Sequence, residues 1–207
     1  MKTMKALHLI APDQLAVVDK PMPAPLKKGQ VLIKMAYSPI NPSDLAFLTG
    51  RYGIQKDLPI VPGFEGSGEV IASGGGFYAN YLKGKRVACS APNTGDGPWA
   101  EFMLTSATKC VVLGKNTSMA QGAMSFVNPL TAIDFSEMAA KGGYDAIVMS
   151  AAASALSKMV HYLAKKKGVA FGGVVRKDEQ VKKLQLQGVD FVANSTTENW
   201  EEELNKW

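Results

Sequence analysis

From Asp145 onward the chain alternates short apolar runs with amphipathic segments, and this alternation limits its fold more than any other feature of the sequence. Asp145-Ala146-Ile147-Val148-Met149, set off by Gly142-Gly143, reads as a buried parallel strand. Leu156, Met159, Val160, Leu163 and Ala164 then recur at i, i+3, i+4, i+7 and i+8, which predicts an amphipathic helix. Val169 to Val175 reads as a second strand, Asp178 to Gln187 as a second helix, Phe191-Val192-Ala193 as a third strand and Thr197 to Trp207 as a final helix. The order is βαβαβα, the first half of a Rossmann-type, doubly wound parallel sheet. The right-handed crossover rule puts its helices on one face.

The first 125 residues obey a different grammar. Val31 to Ala36 follows Lys28-Gly29, Gly68 to Ala72 ends at Ser73-Gly74-Gly75-Gly76, and Arg86 to Cys89 stops before Pro92. Short strands broken by such turns predict a compact, mostly β domain. Ser43 to Gly50 reads as one short helix with a serine N-cap and a glycine stop. Near residue 125 the pattern changes, and Ala120 to Ala140 reads as two apolar helical stretches separated by Asn128-Pro129. The expected division is therefore a β-rich domain over residues 1–125 and a partial nucleotide-binding domain over 126–207, an α/β protein overall.

Composition excludes several classes. With 46% hydrophobic and 20% charged residues among 207, the chain can bury a core and is neither disordered nor fibrous. Its two cysteines, Cys89 and Cys110, cannot make a disulfide framework or a four-cysteine zinc site, and both read as core residues. No apolar run approaches the roughly 20 residues that cross a membrane, and the first nine residues resemble no secretory or transit signal. A cytoplasmic protein is the expectation. The net charge of +5 lies in residues 1–125, with 13 Lys and Arg against 8 Asp and Glu, while the remainder carries 10 of each. These basic residues are scattered and lack interleaved aromatics, so a nucleic-acid partner is not expected. Lys165-Lys166-Lys167 before Gly168 reads as a solvated helix end.

Several motifs, in this order and spacing, resemble the medium-chain dehydrogenase/reductases in their zinc-independent quinone-oxidoreductase and enoyl-thioester-reductase branches. They are Ile40-Asn41-Pro42-Ser43-Asp44, Gly50-Arg51-Tyr52-Gly53, Pro62-Gly63-Phe64-Glu65-Gly66-Ser67-Gly68-Glu69-Val70, Gly84-Lys85-Arg86-Val87 and Asn128-Pro129-Leu130-Thr131-Ala132. The resemblance covers essentially the whole chain. It implies a GroES-like β-rich domain ahead of the half Rossmann sheet, and hydride transfer from a nicotinamide cofactor to the activated C=C or C=O of a quinone, enone or enoyl thioester. The zinc-dependent members carry Cys-His where this chain has Asn41-Pro42, and Gly-His-Glu where it has Gly63-Phe64-Glu65. A catalytic zinc needs three side-chain ligands. Neither Pro42 nor Phe64 can ligate, and His8 and His161 read as structural residues, so no metal is expected.

By the same resemblance Tyr52 is the proton donor, because a phenol within hydrogen-bond reach can protonate the α-carbon or the enolate oxygen. A turn tyrosine packed beside the short helix is the competing reading. Asn41 resembles a cleft asparagine that orients substrate or nicotinamide, and Trp99 either walls the pocket or belongs to the core. Asn128 and Thr131 are implied cofactor contacts. The turn Ser150 to Ser157 stands where the family fingerprint is glycine-rich, and every glycine there is replaced by alanine or serine. Small residues keep a pyrophosphate approach open but disfavour positive φ. Ala153, Ser154, Ala155 and Leu156 are the expected contacts of this turn, with the Ser154 and Ser157 hydroxyls as candidate phosphate donors. Val174-Val175-Arg176-Lys177 ends the second strand with bases where an NAD site places an acid. Arg176 and Lys177 favour NADPH over NADH, because a guanidinium grips a 2′-phosphate bidentately. A solvated basic turn neutralised by Asp178 and Glu179 is the alternative.

Family chains continue well past residue 207, so the resemblance implies a chain truncated at its C-terminus. The first strand of the parallel sheet, normally central, would keep an open edge. A small-molecule substrate is expected, no membrane partner is, and a homodimer is one arrangement the family uses. Two functions follow: an NADPH-dependent reductase or the catalytic part of one, and an inactive remnant that binds nucleotide weakly or acts through protein association.

Overall fold

The computed structural model describes residues 2–207, in two compact units, one ending at Val127 and the other spanning Asn128–Trp207. The first unit opens with an antiparallel hairpin of β1 (Thr3–Ala11) and β2 (Gln14–Pro21). The strands β3 (Gln30–Tyr37), β4 (Glu65–Ser73), β5 (Arg86–Ser90), β6 (Phe102–Ser106) and β7 (Cys110–Val112) form one antiparallel sheet in the order β6-β3-β4-β5-β7. Val31, Ile33, Val70, Val87 and Met103 project from it into a core closed by Leu82 of the short helix α2 (Phe77–Leu82). Cys89 and Cys110 face each other across β5 and β7 inside that core. Burial pushes the Cys110 thiol up to about 12 and the Cys89 thiol higher still, so both act as apolar packing.

A second helix, α1 (Pro42–Leu48), begins two residues earlier than expected. Its N-cap is Asn41, not Ser43, because Pro42 takes the first helical position, where a missing N–H costs nothing. Gly50, at φ +71°, lies just past its end as expected. A smaller cluster of Leu9, Phe47 and Ile60 gathers Tyr52 and Phe64 on its margin.

After α3 (Met119–Ala123) comes α4 (Val127–Gly142), which corrects the expected interruption at Asn128-Pro129. The break falls at residues 124–126, and Pro129 sits in the first turn of α4, where no intrahelical bond needs its nitrogen. The second unit then follows the predicted alternation: β8 (Ala146–Met149), α5 (Ala155–Lys166), β9 (Ala170–Val175), α6 (Asp178–Leu186), β10 (Phe191–Asn194) and α7 (Trp200–Lys206). The three strands are parallel, in the order β10-β9-β8, as half a Rossmann sheet requires. Among the described residues β8 pairs in the ladder with β9 alone, and its Val148 is 46% exposed. Phe171, Val160, Val175, Leu184 and Val189 form the core. The last helix starts at Trp200 instead of Thr197, because the Thr197 hydroxyl donates to the Asn194 carbonyl and holds a turn there. Among the described residues no helix is long and apolar enough to cross a membrane.

Candidate functional site

In the second unit the three parallel strands end together, at Met149, Val175 and Asn194, and their C-terminal ends frame a cavity of about 550 Å³. An open α/β sheet binds its ligands at this edge. One wall is the turn between β8 and α5, contributed by Ser150, Ala151, Ala153 and Ser154. The turn is anchored to the sheet by the Ala152 amide, which donates to the Val174 carbonyl at 3.2 Å. Ala151 adopts φ +49°, so the left-handed conformation that glycine usually supplies is taken here by alanine, at a cost of about 1–2 kcal/mol. Ser154 is the N-cap of α5, its hydroxyl accepting from the Ser157 amide at 3.2 Å. Ser157 is buried, and its hydroxyl faces the Met149 sulfur and the Ala151 carbonyl instead of the cavity.

Opposite the turn stand Arg176 and Gln180, with Ser195 beyond β10. Arg176 is exposed, and among the described residues no carboxylate lies within ion-pair distance of it. The nearby acids are engaged elsewhere: Asp178 accepts from Asn194 Nδ2 at 2.7 Å, and Glu179 lies 3.8 Å from Lys177 Nζ in an exposed pair. Of the expected cofactor contacts, the cavity brings together Ala153, Ser154 and Arg176. Lys177 caps α6, Leu156 packs onto the apolar core, Ala155 opens α5, and Asn128 and Thr131 lie in the first two turns of α4. Gln180 and Ser195 were missed by the sequence reading. Their only signal was position, one within the first turn of a helix and one just after a strand end.

In the first unit, Tyr52 lies on the margin of the Leu9, Phe47 and Ile60 cluster, its ring centroid 5.3 Å from that of Phe64. Phe64 also meets Phe47 edge-on at 5.5 Å. Asn41, 6% exposed, donates from Nδ2 to Glu65 Oε1 at 2.9 Å, while its amide donates to Asp44 Oδ2 at 2.7 Å. Glu65 and Asp44 are both 1% exposed. Burial raises Asp44 to about 6, against the lowering effect of the Asn41 amide; the Glu65 charge adds to the rise and the Phe64 amide opposes it. Trp99 packs against Gly63, whose absent Cβ would fall 2.6 Å from the indole Cδ1.

The antiparallel β-rich unit and the half Rossmann sheet both have counterparts in known proteins. Residues 27–126 match the alcohol dehydrogenase GroES-like domain. The mitochondrial enoyl-[acyl-carrier-protein] reductase of Arabidopsis thaliana is 29% identical over 197 residues, 91% of this chain and 51% of that protein. Among solved structures, a Mesorhizobium loti protein assigned as an NADPH:quinone reductase is 36% identical, with a TM-score of 0.89 over 100% of this chain and 64% of that one. A mycobacterial protein complexed with NADPH is 26% identical, with a TM-score of 0.77 over 98% of this chain and 63% of that one. The chain's homologues are thus enoyl-[acyl-carrier-protein] reductases and quinone oxidoreductases of the zinc-independent medium-chain dehydrogenase/reductase superfamily. The chain spans about half the length of the enoyl reductases it matches.

Proposed function

We propose that this chain is the part of an NADPH-dependent reductase that carries the GroES-like domain and the adenosine half of the cofactor site. Bound NADPH supplies hydride for the activated C=C or C=O of a quinone, enone or enoyl thioester. The observation that carries this reading is the exposed, carboxylate-free Arg176 opposite the α5 N-terminal turn, across one cavity. A guanidinium there suits a 2′-phosphate, and small residues at a helix N-terminus suit a pyrophosphate. The mycobacterial relative complexed with NADPH supports the same cofactor. Tyr52 donates the proton and Asn41 orients the substrate or the nicotinamide. The buried, free thiols suit a reducing cytoplasm.

Titration of the nicotinamide fluorescence with this chain tests the cofactor. NADPH is expected to bind at least tenfold more tightly than NADH, and Arg176→Ala to abolish most of that preference. Equal affinities in the unsubstituted chain would remove the NADPH assignment. Turnover with a panel of quinones and enoyl thioesters tests the chemistry. Tyr52→Phe should then lower kcat at least tenfold, and an unchanged rate removes Tyr52 from the mechanism.

A further inference from the structure

Glu65 opens β4 and is almost wholly removed from solvent, yet both of its oxygens are bound. Oε1 accepts from Asn41 Nδ2 at 2.9 Å. Oε2 accepts from the Phe126 amide at 2.8 Å and the Val127 amide at 3.1 Å. Those amides stand at the opening of α4, a helix of 16 residues whose dipole favours an anion at this end. The Glu65 carbonyl is held as well, accepting from the Ser38 hydroxyl at 2.7 Å. Three donors from two distant segments therefore converge on one carboxylate.

All three of these partners are donors, which sets a strict chemical requirement. An ionised carboxylate accepts on both oxygens, whereas a glutamine accepts on one side and presents N–H on the other. With Asn41 turned as it is, glutamine at position 65 can serve Asn41 or the α4 amides but not both, and serving both requires the Asn41 side-chain amide to flip. Because Nδ2 is the atom that meets Glu65, the carboxylate also fixes which way the Asn41 amide is turned.

We propose that Glu65 is a positioning residue: its carboxylate fixes the rotamer and amide orientation of Asn41 and, with its other oxygen, the start of α4. The catalytic consequence rests on the reading of Asn41 given above, but the structural one does not. The variants are Glu65→Gln and the pair Asn41→Asp with Glu65→Gln. In the pair, the glutamine at position 65 donates to the aspartate at position 41 and accepts from Phe126 and Val127. All donors and acceptors then match again, with the charge moved to position 41.

The test uses the full chain and two independent readouts. Amide hydrogen exchange at Phe126 and Val127, with the side-chain amide resonance of residue 41 where asparagine is kept, reads the clamp itself. Glu65→Gln should speed exchange at those amides at least tenfold or displace the Asn41 side-chain resonance, and the double variant should restore the protection. Kinetics read the consequence: Glu65→Gln should lower kcat at least tenfold with the KM for NADPH within twofold, and the double variant should recover thermal stability without recovering kcat. Wild-type exchange and an unmoved Asn41 resonance in Glu65→Gln overturn the proposal. Failure of the unsubstituted chain to turn over counts against the reductase reading alone, and the exchange data then decide the role of Glu65.

Discussion

Asp44 is the third residue of α1, and its carboxylate accepts from the amide of Asn41 while being enclosed by protein. Enclosure disfavours the charged form more than the two nearby amides favour it, and the Glu65 charge adds to the effect, so the carboxyl titrates near 6. The folded chain therefore holds more protons at this site than the unfolded chain between the two pKa values, from about 4 to about 6. Stability contributed by this group is complete below that window and is lost as pH rises through it. At ~1.4 kcal/mol per pH unit, the upper bound is about 3 kcal/mol. Asp44→Asn keeps an acceptor for the Asn41 amide and removes the titration. Urea denaturation at intervals from pH 4 to pH 7.5 should show the unsubstituted chain losing stability relative to Asp44→Asn as pH rises, with a constant difference above pH 6.5. Parallel curves throughout would show that Asp44 titrates normally. Little of this was legible in the sequence. Asn41 stood out through its motif, but the weight of Glu65 in the same set of motifs depends on amides 61 and 62 positions away. Burial of Asp44 is likewise a property of packing, which no local pattern records.

At the scale of elements the sequence was most informative where period and composition agreed. The parallel strands and their helices appear close to their expected limits because apolar runs and helical periodicity alternate without conflict. The boundary at α4 was misread because proline breaks a helix interior but is welcome in a first turn, and sequence alone does not say which of these Pro129 occupies. The α5 turn poses the finer problem, since its close approach to β9 depends on a glycine in the strand. A Cβ on Gly173 would lie 2.8 Å from Ala152 Cβ, an atom fixed to backbone, so the turn itself would have to move. A Cβ on Gly172 would also lie 2.8 Å from its nearest neighbour, but that atom is at the far end of the Trp207 ring, which can rotate. Gly173→Ala is expected to cost about 1–3 kcal/mol through overpacking and to weaken NADPH binding at least tenfold. Gly172→Ala should bind NADPH within threefold of the unsubstituted chain. Calorimetric titration of both variants checks the contrast, and equal affinities would mean that the turn is not held by this contact.

At the scale of the whole molecule, each unit encloses its own apolar clusters: those of the first draw on residues 9 to 112, and those of the second on residues 132 to 192. Separate cores give separate cooperative transitions unless a large apolar interface couples them. The cavity with Arg176 belongs wholly to the second unit, so a ligand there stabilises that unit directly. The three tryptophans divide the same way, Trp99 in the first unit and Trp200 and Trp207 in the second. Trp99→Phe therefore leaves fluorescence that reports the second unit alone. At a hundredfold excess of NADPH over its Kd, that signal should show stabilisation of about 2.7 kcal/mol. Calorimetry of the unsubstituted chain should then show one transition moving upward and another staying in place. If instead a single transition moves as a whole, the two units unfold as one, and the separation of their cores does not govern the stability of the chain.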